Sequence, residues 1–249
     1  MIIIVVVVVI ILIVVGSVLG YLYSSHYKSI KTQTVTIIKG LTDGKTPKRI
    51  SNGSLPVSTI GNEYTIGFWI YVSDYNYRYN EDKCIMYKGK VYNNSPLNNA
   101  DNTAANHYNQ SNPGVWLLKR NNTLRVQLGI ETDYHGDKCA YGDTFDNHTP
   151  TTTSDDLPKV MSSYCDVPFF PLQTWVYVDI ALSGNSIDVY LDGDLKKSCI
   201  LNGHPITSLD DLYVCQNGGF NGYLSNVTYS SAILTLASIR KTYKKGPSI

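Results

Sequence analysis

The sequence is poor in charge and poor in chemical motifs. Lys, Arg, Asp and Glu make up 16% of its 249 residues and cancel to a formal +1. No global field therefore points to nucleic acid as a partner. Five cysteines, Cys84, Cys139, Cys165, Cys199 and Cys215, stand at irregular spacing with no C-x-x-C pair. An odd, irregular set excludes a regular disulfide framework and the usual zinc arrangements. His26, His107, His135, His148 and His204 are scattered, none of them at zinc spacing from a cysteine. His135 lies near Cys139, but the sequence identifies no acid that would orient it as a base. Gly218-Gly219 is not followed by Gly-Lys-Ser/Thr, so it reads as a turn and not a phosphate loop. Asp133, Asp137 and Asp143 cluster in an acidic stretch, but Lys138 intrudes and their spacing fits no calcium loop. No cofactor, metal ligand or catalytic residue is expected on these grounds.

What is abundant is apolar and neutral polar. Residues 2–23 carry no charge and are mostly Ile and Val. About 20 apolar residues at 1.5 Å per residue span the ~30 Å hydrocarbon core of a bilayer. A cleaved signal peptide would need a basic leader and a shorter apolar core, and only Met1 precedes this run. The expectation is a retained transmembrane helix over 1–23, with a linker over 24–33. Gly16 and Gly20 form one small-xxx-small pair suited to helix contacts. Lys28, Lys31 and Lys39 follow the run, which places the folded part on the cytosolic side. Six N-x-S/T sequons, at Asn52, Asn93, Asn109, Asn121, Asn147 and Asn226, then stay bare and the thiols mostly reduced. Cys199 and Cys215 can meet across neighbouring strands, and Cys139 and Cys165 flank one long insertion.

Beyond the linker the chain alternates like a sheet protein. Thr34–Ile38 reads as a first strand. In EYTIGFWIYV, Tyr64, Ile66, Phe68, Ile70 and Val72 share one face while Thr65, Trp69 and Tyr71 share the other. Cys84–Tyr87, Val115–Leu118 and Thr123–Ile130 are further strands, the last two joined by a turn at 120–122. Two long segments without period, at about 90–113 and 131–168, read as insertions. Trp175 to Ile200 forms a three-stranded meander turning at 183–186 and again at Asp192-Gly193, a type I′ signal. Tyr223–Tyr229 is a last strand, and Thr235 caps a short helix with Leu236, Ile239 and Tyr243 on one side. Short strands and almost no helix argue an all-β, antiparallel two-sheet sandwich over 34–249.

The ordered set EYTIGFWIYV, Lys88-Gly89, VWLLKRNNTLRVQL, PLQTWVYVDIALSGNSIDVYLDGDL and GGFNGYLSNVTY resembles the concanavalin A-like, laminin-G-like jelly rolls. The closing LTLASIRKTYKKGP looks like their terminal short helix and Gly-Pro. With an apolar run ahead of it, the domain resembles virion or membrane proteins of large DNA viruses of algae and protists. The resemblance implies a non-enzymatic, single-pass minor capsid protein linking an internal membrane to the shell, with virion or capsid proteins and the bilayer (through 2–23) as partners. Glycosidases on this fold carry E-x-D-x-x-E on one strand, and no such triplet occurs here. Asp179 and Asp188 alone remain, on the outward face with Trp175, Tyr177 and Tyr190. Those five residues form the candidate glycan-binding face of the alternative reading, a membrane-displayed lectin-like module. The competing expectation buries that face beneath the insertion loops.

Overall fold

A computed structural model describes residues 10–21, 33–58, 61–89, 111–131 and 160–249. The chain divides into two compact units, Met1–Gln33 and Thr34–Ile249. In the first, residues 10–21 form helix α1, drawn from the Ile/Val run. Among the described residues no helix is long and apolar enough to cross a membrane. The remainder of the expected span, and much of each expected insertion, lies outside the described residues.

The second unit is a sandwich of two antiparallel sheets. Strands β1 (Thr34–Asp43), β3 (Tyr64–Asp74), β8 (Trp175–Ser183), β9 (Ser186–Leu191), β10 (Asp194–Ile200) and β13 (Asn221–Ser230) build one sheet. Their order is β1-β13-β3-β8-β9-β10. The other sheet contains β2 (Lys48–Ile50), β4 (Lys83–Lys88), β5 (Gly114–Leu117), β6 (Leu124–Glu131), β11 (His204–Pro205) and β12 (Leu212–Val214). Its order is β11-β6-β5-β4-β12-β2, with β7 (Val160–Val167) also paired to β6. Helix α2 (Leu236–Tyr243) follows the last strand.

The alternation in the sequence selects the inner faces. Ile66, Phe68, Ile70 and Val72 of β3, with Val176, Val178, Ile180 and Leu182 of β8, face Val115, Leu117, Leu124, Val126 and Leu128 in one contiguous core. Burying each such side chain is worth about 1.5–3 kcal/mol. The β9–β10 turn has Asp192 at φ 54° and Gly193 at φ 84°, the left-handed pair a type I′ turn demands.

Two expectations fail. The segment 131–168 is not wholly an insertion, because Val160–Val167 is a strand paired in register to β6 from Val160↔Glu131 to Val167↔Leu124. Its sequence, VMSSYCDV, hides the strand behind Ser, Ser and Asp, residues with little β preference. Cys199 does not meet Cys215. It is bonded to Cys165, 34 positions away, while Cys84 and Cys215 remain buried thiols. Cys139, expected to flank the insertion with Cys165, lies outside the described residues.

The bridge has a clear mechanical place. It joins β7 of one sheet to β10, the edge strand of the other. Beside it, Lys197 Nζ donates to the Asp166 carbonyl at 2.9 Å. Closing a loop of this length restricts the unfolded chain by about 4 kcal/mol at most. Reduction is therefore expected to lower the unfolding free energy by about 2–4 kcal/mol. Denaturant melts with and without reductant read this, and coincident curves would show that the bridge does not form.

Candidate functional site

The five nominated residues do share the outer face of the first sheet, but the face is not open. Ile239 of α2 is fully buried in a cluster with Trp69 and Tyr177, with Trp175, Tyr190 and Leu234 packed around it. Tyr243 stacks on Trp69 at 5.6 Å, and Trp69 meets Tyr177 at 5.4 Å. Among the described residues the cover is the C-terminal helix; most of each expected insertion lies outside them. Its position follows from local chemistry. Thr235 caps it by accepting from Ser238 N, and the Leu234 amide donates to Thr65 Oγ1 on β3 at 3.1 Å. Arg240 reaches the β9–β10 turn, donating to the Gly193 carbonyl at 3.2 Å and to Asp194 at 2.9 Å. Beyond the helix, Ser248 and Ser225 exchange hydrogen bonds that hold the tail on β13.

Asp179 sits beneath this cover with no exposed surface. The Tyr177 hydroxyl donates to Asp179 Oδ2 at 3.1 Å, whereas Oδ1 has no hydrogen-bond partner among the described residues. Burial drives the carboxyl up from 3.8 to about 7, opposed only by the Tyr177 hydrogen bond. Burial likewise drives the Tyr177 phenol far above its usual range. The backbone makes room for the pair at Gly67 of β3. A Cβ there would lie 2.4 Å from the Tyr177 hydroxyl and 3.0 Å from Asp179 Oδ2. Asp188 is half-buried and pairs with Ala181, two positions along β8 from Asp179. Diagonal residues of this kind stand roughly 7–8 Å apart at the backbone, a spacing that does not itself set the carboxylate separation glycosidases require. Access decides the matter, because Asp179 is sealed from solvent while Asp188 is not.

One row of this face stays half-open. Tyr223, Tyr71 and Trp175 are direct cross-strand partners on β13, β3 and β8. Tyr71 and Trp175 meet at 5.6 Å with tilted rings, and Tyr223 is 42% exposed. Trp175 is the one nominated aromatic that belongs to it.

The outer face of the second sheet carries a feature that sequence reasoning missed. Tyr213, Tyr87 and Trp116 stack in series, at 5.2 Å and 5.9 Å between ring centres. Arg125, opposite Trp116 in register, continues the row. It forms a two-pronged pair with Asp166, both contacts at 2.7 Å, and lies 4.2 Å over the Tyr164 ring. The Asp166 hydrogen bonds raise the guanidinium pKa. The three stacked rings are buried, so this ladder stiffens the sheet as cross-strand pairs do. Lys83 is wholly buried with its ammonium 4.1 Å over the Tyr75 ring and, among the described residues, no hydrogen-bond partner. Burial lowers its pKa, with Asp82 opposing.

Among the described residues no group of three His, Cys, Asp or Glu is placed to hold a metal ion. The acidic cluster Asp133, Asp137 and Asp143, and the His135–Cys139 neighbourhood, lie outside the described residues. Of the five histidines, His204 is described, on β11.

No family model matches the chain, and no curated protein matches it. Solved structures do. The binding domain of botulinum neurotoxin serotype G aligns with a TM-score of 0.48 at 13% identity, over 87% of this chain and 47% of the toxin domain. The receptor-binding domain of the C/D mosaic serotype aligns at 0.49 and 13%, over 87% and 47%. A point mutant of HCR/D reaches 0.50 at 14%, over 86% and 45%. The chain therefore spans less than half the length of these proteins. The likeness is one of fold alone: an all-β sandwich.

Asp179 makes stability depend on pH in a definite direction. Its folded pKa lies above its unfolded one, so between about pH 4 and pH 7 the folded chain holds a proton the unfolded chain lacks. Stability is expected to fall as pH rises through that window and to level off above it, the total being on the order of 4 kcal/mol at most. Asp179→Asn removes the slope and raises the melting temperature at pH 8. Melts of both forms from pH 4.5 to 8 read it, and parallel profiles would refute the buried-carboxyl assignment. Gly67→Ala, by contrast, is expected to destabilise by about 1–3 kcal/mol through overpacking against Tyr177 and Asp179, measured by denaturant melt.

Proposed function

We propose that this chain is a non-enzymatic, membrane-anchored interaction module of the concanavalin A-like, laminin-G-like jelly-roll type. It is read as a minor capsid or virion-membrane protein of a large DNA virus. In this reading residues 2–23 are a single transmembrane helix, the folded domain lies on the cytosolic side, and the module links an internal membrane to the shell. The observation that carries it is the closed outer face of the first sheet. Where a ligand site would open, α2 fills the space with Ile239 and Tyr243. Of the two strand carboxylates there, Asp179 is sealed against a tyrosine. Contacts with partners then fall to loops and edges, which suits a bridging protein better than a catalyst.

A rigid loop supports this. Phe170 is buried, and its amide and carbonyl are both tied to Asn122. Its neighbour Phe169 is 86% exposed at φ 57° between two prolines. A bulky residue held in the left-handed region costs about 1–3 kcal/mol and persists where the surroundings enforce it. Such a fixed, exposed aromatic is the kind of anchor that protein interfaces use. The test is to purify particles, strip them with detergent and ask which layer retains the protein. Retention with the shell or the internal membrane agrees with the reading, and absence from particles sinks it.

The Cys165–Cys199 bridge favours a second reading, since disulfides persist in oxidising compartments. Here the domain faces the lumen or outside and binds glycans, with the half-open Tyr223–Tyr71–Trp175 row offering ring faces to sugars. This reading expects glycosylation at exposed Asn121 but not at Asn226, whose side chain is engaged by Gly40 and Ser248. A glycosidase gel shift from eukaryotic cells separates the two readings. A glycan array then tests binding, with loss on Trp175→Ala expected and an array without signal decisive against it.

A further inference from the structure

The exposed side of α2 carries a local concentration of positive charge that the rest of the chain does not share. From Leu212 to Ile249 there is no Asp or Glu, while Arg240, Lys241, Lys244 and Lys245 fall within six positions. The whole chain sums to only +1. Arg240 spends its charge on Asp194. Lys241, Lys244 and Lys245 are exposed and, among the described residues, make no ion pair. Leu236, Ala237, Arg240, Lys241 and Lys244 line one shallow open groove, with Leu236 42% exposed. Cations in a last helical turn complement the helix dipole. Arg240 and Lys241 satisfy that role, but Lys244 and Lys245 stand at and beyond the helix end.

The geometry points to this face of α2 as a docking surface for the anionic headgroups of a lipid bilayer. Three uncompensated ammonium groups on flexible stems suit phosphate and carboxylate headgroups, which need point charges more than fixed forks. An aliphatic side chain in the same groove suits the boundary between headgroup and acyl chain. Juxtamembrane basic clusters are attracted to anionic leaflets, and a weak polybasic contact becomes effective when a second signal holds the chain at the membrane. That second signal is the apolar run at 2–23, so the inference rests on the anchored reading. It adds that the domain lies on the membrane through α2 and does not merely hang from the tether. Ile239 in the sheet cluster and Tyr243 stacked on Trp69 keep their places throughout.

The test uses the full chain in nanodiscs of phosphatidylcholine alone and of phosphatidylcholine with phosphatidylserine. Hydrogen exchange over residues 236–245 is the readout. Exchange is expected to slow several-fold in the anionic discs, and high salt should abolish the slowing because exposed charges are screened. The combined Lys241→Glu, Lys244→Glu, Lys245→Glu variant changes exposed side chains only and should exchange alike in both discs. Lys196→Glu, on the exposed part of β10, should keep the difference. Equal exchange of the native chain in both discs overturns the proposal and leaves an acidic protein as the partner for this face. Failure of the chain to enter discs at all overturns the anchored reading instead. Co-sedimentation with free vesicles then decides the inference: binding to anionic and not neutral vesicles upholds it, and no binding ends it.

Discussion

The structure depends on covering strands β3 and β8 on both sides. Their inner faces build the core between the sheets, and their outer faces carry Trp69, Tyr71, Trp175 and Tyr177, too much apolar surface to leave to water. Helix α2 resolves this by laying Ile239 and Tyr243 across those rings. The same act buries Asp179, whose carboxyl accepts from Tyr177 and whose pKa burial raises to about 7. The closure therefore determines both which site can exist on this face and how the domain responds to pH.

Much of the fold was legible because it rests on short-range pattern. The alternation of EYTIGFWIYV, the Asp192-Gly193 turn and the Thr235 cap each predict a local geometry that the structure contains. The failures share a cause. β7 reads Ser-Ser-Tyr-Cys-Asp and forms because β6 offers it an edge, which no window of sequence displays. The Cys165–Cys199 bridge and the Tyr213–Tyr87–Trp116–Arg125 row both require the register of strands far apart in the chain. The candidate face lies on the outer side of the sheet, as expected, and among the described residues α2 covers it, a contact the sequence reading did not assign. One signal was available. Strands that are apolar on both faces are covered on both faces, and the short helix with Ile239 at its centre was the remaining amphipathic element.

For function, the consequence is a division of labour across the surface. The centre of the first sheet is sealed, the ring ladder of the second sheet is buried, and among the described residues the accessible features are peripheral: the pinned Phe169 loop, the half-open Tyr223–Tyr71–Trp175 row and the basic side of α2. Each of these suits binding to something large. The anchored interaction module and the displayed glycan binder differ in which side of a membrane these features face, and the bridge between β7 and β10 bears directly on that choice.

The closure of the outer face is tested most directly by native-state hydrogen exchange of the folded chain at α2 and β8. The account predicts that the α2 amides and those of Tyr177 and Asp179 are strongly protected, and that Ile239→Asp releases the helix and exposes the rings while the inner core holds. Exchange of α2 at the rate of a free peptide in the native chain, with β8 still protected, would show an open aromatic and acidic face and contradict it.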